Sequence, residues 1–371
     1  MFLYALVLKG VMTRLDPWKP DIPQDYEQLA EQFGLKRFSD ALLKKMPDSY
    51  MFRRNIVFAH RDFETIADAM LKKKPFAAMT GIKPSNHLHI GSKLVVDQLK
   101  YLQDAGGQVV YSVADVETYH ANRQSLADSR KIAESNITDL LALGISEDAY
   151  FYFQSAEPRV KLNGYLYGRD VTFNMLKAIY GEQQIGHYVS ALMQVADILL
   201  PEMPEFGGPK PVVVPVGLDQ DPHIRLTRDI AGKHKLIVPS STYNRFMRSL
   251  TGSDKMSKSE PMGMISLSET PSSAKKKIMR AFTGGKPTVE EQKKEGANPK
   301  ICPVYDLLLY LEEDDKVVKE RFQECSQGKI MCGACKKDVA ERVVKFLEGH
   351  QKKREKLAPK AKRVVEKVSK C

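Results

Sequence analysis

Nowhere in the 371 residues do about 18 apolar residues run together, which excludes a membrane-spanning helix. The short apolar stretch at 2–8 has no basic flank before it and no small-residue cleavage site after it, so a secretory leader is not expected. Met12 is an alternative start. Cysteine is scarce: five residues, an odd number, too few for a disulfide scaffold and fitting a reducing, cytoplasmic compartment. Tryptophan occurs once, at Trp18. No internal repeat is visible. Four cysteines, Cys302, Cys325, Cys332 and Cys335, fall within a short C-terminal stretch, the last two as Cys-x-x-Cys. One such pair is a weak metal signal and the outer spacing is irregular, so buried or free thiols are expected and no metal ligands are assigned.

Charge is plentiful but unevenly placed. The net charge is +11. Residues 351–371 carry a surplus of seven positive charges and the other 350 residues share only four. A nearly balanced body with a basic tail suits contact with a polyanion, RNA above all, although a solvated helix end would look the same. The length suggests two or three domains. Residues 1–70 read as an N-terminal extension, 71–265 as an α/β catalytic domain, 266–350 as a helical domain and 351–371 as the basic tail. The α/β reading comes from alternation. Short apolar runs at 76–80, 108–115, 150–154 and 210–217 are strand candidates. Helical periodicity at 92–104 and from Ser125 to about Leu143 separates the first three, as in a parallel, Rossmann-like sheet.

Three segments carry chemistry. The loop Gly81-Ile-Lys-Pro84-Ser85-Asn86-His87-Leu88-His89-Ile90-Gly91-Ser92 follows a strand and opens a helix. Helix N-termini at the carboxyl ends of parallel strands suit phosphate, and the two histidines add donors. By itself the loop could equally be a hydrophilic connection. Lys255-Met256-Ser257-Lys258-Ser259 offers two ammonium groups to a polyphosphate, although alone it would read as a charged surface loop. Gly217-Leu-Asp219-Gln220 again lies where a strand enters a helix, begun by Asp221-Pro222. Asp219 and Gln220 can accept from a ribose or an ammonium group; N-capping with exposed Arg225 and Arg228 is the plainer reading.

Together, in this order, the segments resemble the class I aminoacyl-tRNA synthetases. Pro84–Ser92 resembles their HIGH signature, and Lys255–Ser259 matches their KMSKS signature. Residues 217–229, with the stretches 15–18, 58–62, 205–208 and 280–285, are similar to the tryptophanyl branch shared by archaea and eukaryotes. The resemblance implies a Rossmann catalytic domain, a helical anticodon-binding domain and a homodimer. It implies ATP with Mg²⁺, L-tryptophan and tRNA(Trp) as substrates, and no membrane role. A tyrosyl enzyme and a non-catalytic RNA-binding paralogue are the alternatives.

By matched motif position, His89 touches the ATP phosphates with Ser92, and Lys255 and Lys258 hold the leaving pyrophosphate. Gly81, Pro84, Ser85, Asn86, His87, Leu88, Ile90, Gly91, Gly217, Asp219, Met256, Ser257 and Ser259 complete the nucleotide site. Glu117, Gln194 and Gln220 meet the amino acid. Ser92 stands where the signature has its second histidine, and either it or His87 is expected to substitute in part. Asn86 stands where glycine is usual. Met79 and Ser112 occupy the positions that read the indole N–H in eukaryotic relatives, which leaves Tyr111, Asp115 and Tyr119 as candidate acceptors.

Overall fold

The computed structural model describes Leu15, Pro17 and residues 26–369; Met12, Trp18 and Cys371 lie outside these. Six strands form one sheet in the order β1-β6-β5-β2-β3-β4. They are β1 (Val57–Arg61), β2 (Ala77–Ile82), β3 (Gln108–Val113), β4 (Tyr150–Phe153), β5 (Val212–Gly217) and β6 (Ser240–Asn244). All neighbouring pairs are parallel except β1 with β6. The stretch read as an N-terminal extension therefore supplies an antiparallel edge strand. Before β1 lie three short helices, α1 (Tyr26–Gln32), α2 (Asp40–Leu43) and α3 (Tyr50–Arg53), and α4 (Glu64–Leu71) follows it.

Both faces of the parallel strands are covered, which is why they read as unbroken apolar runs. The pleat divides them cleanly. Val109, Tyr111, Val113, Phe151 and Phe153 enter one core, while Ala77, Met79, Val110, Tyr152, Val212 and Val214 enter the other. Connecting helices supply the covering layers: α5 (Ile90–Asp104), α6 (Asp115–Asn122) and α7 (Leu126–Ala142) between β2 and β4; α8 (Pro158–Tyr167), α9 (Phe173–Tyr180) and α10 (Ile185–Leu199) between β4 and β5; α11 (Asp221–Lys233) before β6. Ser125 caps α7 by accepting from the Asp128 N–H, as its sequence suggests.

The chain runs outward from β2 to β4, then returns to place β5 on the other side of β2. The carboxyl ends of β2 and β5 are thus the topological switch point, where ligands bind in open α/β sheets.

Beyond β6 the chain is helical: α12 (Pro271–Arg280), α13 (Val289–Glu295), α14 (Pro303–Leu311), α15 (Asp315–Ser326) and α16 (Cys332–Val368). The apolar core on the α7 side continues without a break into this part, through Val304, Leu307, Val339, Val343 and Leu347. Residue 351, where the basic composition begins, falls inside α16 and marks no structural boundary. Ala361 and Val365 face inward, and Lys352, Lys353, Lys356, Lys362 and Arg363 face solvent. The helix is pinned to α7 by a buried pair, His350 Nε2 to Asp139 Oδ1 at 2.7 Å, joined by Arg354.

Candidate active site

The loop after β2 is fixed from two sides. Leu88 and Ile90 are sunk in the core and clip to the segment after the lysine loop: the Ile90 N–H donates to Ile265 O (3.0 Å) and the Leu267 N–H to Leu88 O (2.9 Å). Between them His89 is the N-cap of α5, its Nδ1 accepting from the Ser92 N–H at 3.3 Å. A ring nitrogen that accepts carries no proton, so the proton sits on Nε2 and is free to be donated. Burial, then the charges of Lys258 and Lys255, hold the imidazole pKa down to about 3. His89 is therefore a neutral donor at any working pH. Gly91 permits this fold of the ring, since a Cβ there would lie 3.0 Å from His89 Nδ1.

The lysine loop closes over the same place. Met256 is its anchor, buried with its N–H donating to Met247 O at 2.7 Å. On one side of it, Lys255 Nζ lies 3.1 Å from Asp219 Oδ2 and 4.1 Å above the Phe246 ring. On the other, Lys258 Nζ approaches the carbonyl oxygens of Lys83 (3.4 Å) and Asn86 (3.3 Å). Burial, and then the nearby Lys83 ammonium, lower the Lys258 pKa to about 8. Two carbonyl dipoles at these distances hold the ammonium weakly, and a phosphate would outcompete them.

His89, Ser92, Lys255 and Lys258 line one cleft of about 380 Å³ with Gly81, Ser85, Leu88, Gly91, Gly217, Asp219, Gln220, Met256 and Ser257. Pro84, Asn86, His87, Ile90 and Ser259 belong to the same loops but not to its wall. His87 faces outward, its Nδ1 3.1 Å from Ser135 Oγ on α7. Of the two stand-ins expected for the second signature histidine, Ser92 is the one in the cleft. Arg225 and Arg228 are structural: Arg225 pairs with Asp221 at 3.0 Å, and Arg228 with Asp62 at 2.5 Å.

A second cavity, of about 240 Å³, adjoins the first and shares Thr80, Gly81, Lys83, Gly217 and Gln220 with it. Its apolar lining comes from Met79, Val95, Ile198, Val214 and Ile224. Its polar rim holds Glu117 and Gln194, where Gln194 Nε2 donates to Glu117 Oε2 at 2.8 Å and Lys83 Nζ stands 3.5 Å from Glu117 Oε1. These elements bring together the carboxylate and the amide that the family resemblance points to.

The three candidate indole acceptors lie elsewhere. Tyr111 lines the first cleft, Asp115 is occupied by the N–H and hydroxyl of Ser155, and Tyr119 is mostly exposed against His120. The cavity instead contains a carboxylate that sequence reasoning passes over, Asp197, buried and accepting from Tyr152 Oη (2.6 Å) and Gln154 Nε2 (2.5 Å). Burial raises its pKa to about 7, against the pull of those bonds and of Ser112 beside it. Its signal is the three-residue step from Gln194 to Asp197, which puts both on one face of α10. Among the described residues no three His, Cys, Asp or Glu side chains are arranged to hold a metal ion as they stand.

Known proteins share this fold. The model of the family described as tRNA synthetases class I (W and Y) matches residues 71–348. The chain belongs to this family. It is 44% identical over 366 residues to the tryptophan–tRNA ligase of Methanocaldococcus jannaschii, covering 96% of this chain and 99% of that one. The crystal structure of tryptophanyl-tRNA synthetase from Aeropyrum pernix is similar with a TM-score of 0.87 at 41% identity, covering 95% of this chain and 98% of that one. The Plasmodium falciparum tryptophanyl-tRNA synthetase follows with a TM-score of 0.84 at 27% identity, covering 92% and 97%. The chain shares with these synthetases its Rossmann-like sheet and the helical region that follows it. No helix of the described residues is long and apolar enough to cross a membrane.

Proposed function

We propose that the protein is a tryptophan–tRNA ligase of the cytoplasm, which activates L-tryptophan with ATP and transfers it to tRNA(Trp). The observation that carries this is the meeting of one imidazole and two ammonium groups in a cleft beside a mostly apolar cavity with a carboxylate–amide rim. ATP enters as its magnesium complex, the ion carried on the phosphates as part of the substrate. Its triphosphate lies along the N-terminus of α5, under the lysine loop.

The tryptophan carboxylate attacks the α-phosphorus and pyrophosphate leaves. No side chain becomes covalent; the chain supplies orientation and charge. His89 Nε2–H and the Ser92 hydroxyl donate to phosphate oxygens. Lys258 and Lys255 hold the departing pyrophosphate, Lys255 leaving Asp219 to do so and freeing that carboxylate for the ribose. The substrate ammonium is held by Glu117, Gln194 and Gln220. The indole fills the apolar cavity with its N–H directed at Asp197. Each carboxylate oxygen has room for a further hydrogen bond beyond those from Tyr152 and Gln154. The adenylate is then attacked by a hydroxyl of the terminal ribose of the tRNA.

Two further features support partners. The solvent face of α16 presents Lys352, Lys353, Lys356, Lys362 and Arg363 to a phosphate backbone. The adjoining helices α8 and α10 expose Leu162, Tyr165, Leu166, Ile185 and Val189, an apolar face that a homodimer would cover. The deciding experiment is ATP–pyrophosphate exchange with tryptophan, with tyrosine and with no amino acid. Exchange with tryptophan alone is expected. Exchange with tyrosine would move the assignment to the tyrosyl branch, and none with either would make the chain an RNA-binding paralogue.

A further inference from the structure

The lysine loop leaves the body of the protein and returns to it through a narrow neck. Ser249, Leu250, Thr251 and Ser253 lie on the outgoing flank, Glu260 and Gly263 on the returning one. The Leu250 N–H donates to Gly263 O at 2.8 Å and the Phe282 N–H to Leu250 O at 2.7 Å, which lays the flanks side by side and fastens them to the chain just after α12.

Nearer the tip, the Glu260 carboxylate takes a hydroxyl from each of three residues on the opposite flank. Ser249 Oγ donates to Oε2 at 2.6 Å, Thr251 Oγ1 to Oε1 at 2.6 Å and Ser253 Oγ to Oε2 at 3.2 Å. These bonds, that from Ser249 foremost, hold the Glu260 carboxyl below the usual glutamate range, so it is charged at any working pH. Ser249 is fully buried, and Gly263 leaves room for the pair: a Cβ there would collide with Ser249 Oγ and Glu260 Oε2. Ser249, Thr251, Ser253 and Glu260 all lie outside the wall of the nucleotide cleft.

We propose that Glu260 is a positioning residue for adenylate formation: with Ser249, Thr251 and Ser253 it forms a clasp at the base of the lysine loop, so that Lys255 and Lys258 travel to the triphosphate on one short tether. This rests on the function proposed above.

Both lysines have to move. Lys255 Nζ is engaged by Asp219 at 3.1 Å and Lys258 Nζ by the Lys83 and Asn86 carbonyls, so capture of the triphosphate shifts the segment between the flanks. With the clasp shut, that segment is residues 254–259. With the clasp open, the next cross-link between the flanks is the Leu250–Gly263 bond, and the free span becomes residues 251–262, twice as long. The local concentration of a tethered group falls as roughly the three-halves power of tether length, so a doubling costs about threefold. The loss is about threefold if the loop closes as one body and about tenfold if each ammonium is captured separately. The hydroxyls also suit a carboxylate: it only accepts, and its two oxygens take all three protons, whereas an amide would offer one oxygen. A surface network that added stability alone would lower the melting temperature without separating ATP from tryptophan.

The full chain is compared with Glu260→Ala, Glu260→Gln and the paired variant Thr251→Val with Ser253→Ala, which removes two donors and leaves the carboxylate. ATP–pyrophosphate exchange is measured with ATP and tryptophan varied in turn. In Glu260→Ala, kcat/KM for ATP is expected to fall about three- to tenfold with the tryptophan KM unchanged; Glu260→Gln and the paired variant should fall less. A second readout uses no substrate. Limited trypsin digestion followed by mass spectrometry should show faster cleavage after Lys255 and Lys258 in the variants, relative to cleavage on the exposed face of α16. Should Glu260→Ala fail to fold, the paired variant carries both measurements. Unchanged cleavage at the two lysines, ATP and tryptophan parameters falling together, or Glu260→Gln as impaired as Glu260→Ala would overturn the clasp. Absence of exchange by the unaltered chain would instead strike the ligase reading, and the digestion would still decide on the clasp.

Discussion

Lys258 gives the sharpest handle on the chemistry. Its ammonium sits against two carbonyl oxygens, and burial with the Lys83 charge brings its pKa from the ordinary 10.5 down to about 8. A lysine with a lowered pKa is charged below that value and neutral above it. The cation proposed to hold pyrophosphate is therefore present at pH 7 and disappears as pH rises through 8. One pH unit above the pKa, about a tenth of the free enzyme remains competent, so kcat/KM for ATP should fall roughly tenfold between about pH 7 and pH 9. The assay is ATP–pyrophosphate exchange at saturating tryptophan, with ATP varied across that range. Titration of the substrates contributes a slope of its own. Lys258→Arg removes this ambiguity, because a guanidinium stays charged throughout while the behaviour of the substrates is unchanged. The variant should lose the alkaline fall even if its plateau is lower. Parallel profiles for the two proteins, or a flat profile for the unaltered one, would refute the assignment.

Asp197 should act in the opposite sense. With its pKa raised to about 7, it gains charge as pH rises from 6 to 8, and an indole N–H bonds better to the charged form; the tryptophan KM should fall over that interval. Asp197→Asn should flatten the dependence and raise KM by about 10- to 100-fold, the worth of a hydrogen bond to a charged group, measured by exchange with tryptophan varied. Ser92→His, which restores a second imidazole in the cleft, should leave turnover unchanged or raise it; a large fall in exchange rate would give the serine a role of its own. Replacing Lys352, Lys353, Lys356 and Lys362 by glutamine should weaken tRNA binding, with tryptophan-dependent exchange unaffected. The salt slope should drop by up to about 0.7–0.9 for each phosphate no longer neutralised. Filter binding across a salt series checks this.

What can be read from the sequence is what local chemistry dictates. The loop at 81–92, the lysine loop at 255–259 and the Asp219–Gln220 turn each sit at a strand end or close over one, and the fold brings all three to the switch point. Glu117 and Gln194, 77 residues apart and singled out only by the family resemblance, are hydrogen-bonded in the structure. Strand β6 is not legible because its buried positions include Ser240, Ser241, Thr242 and Asn244, polar residues satisfied only in the folded state. Strand β1 is hidden for another reason: it pairs with a strand nearly 200 residues later, which no local pattern encodes. The tail reads as separate because its charge lies on the solvent face of a helix whose other face continues the core. Asp197 escapes because only tertiary packing turns a helix carboxylate into the floor of a cavity.

One small contact adds to those that join α16 to the sheet domain. Ser135 Oγ meets His87 of the loop after β2 at 3.1 Å and, also at 3.1 Å, receives Nη2 of Arg354 from α16. The Ser135 hydroxyl thus touches both α16 and the loop after β2, beside the firmer anchors of α16 at Asp139. If RNA lies on α16 as proposed, a load on that helix falls first on α7, through His350 and Arg354 at Asp139, and reaches the loop after β2 by way of Ser135.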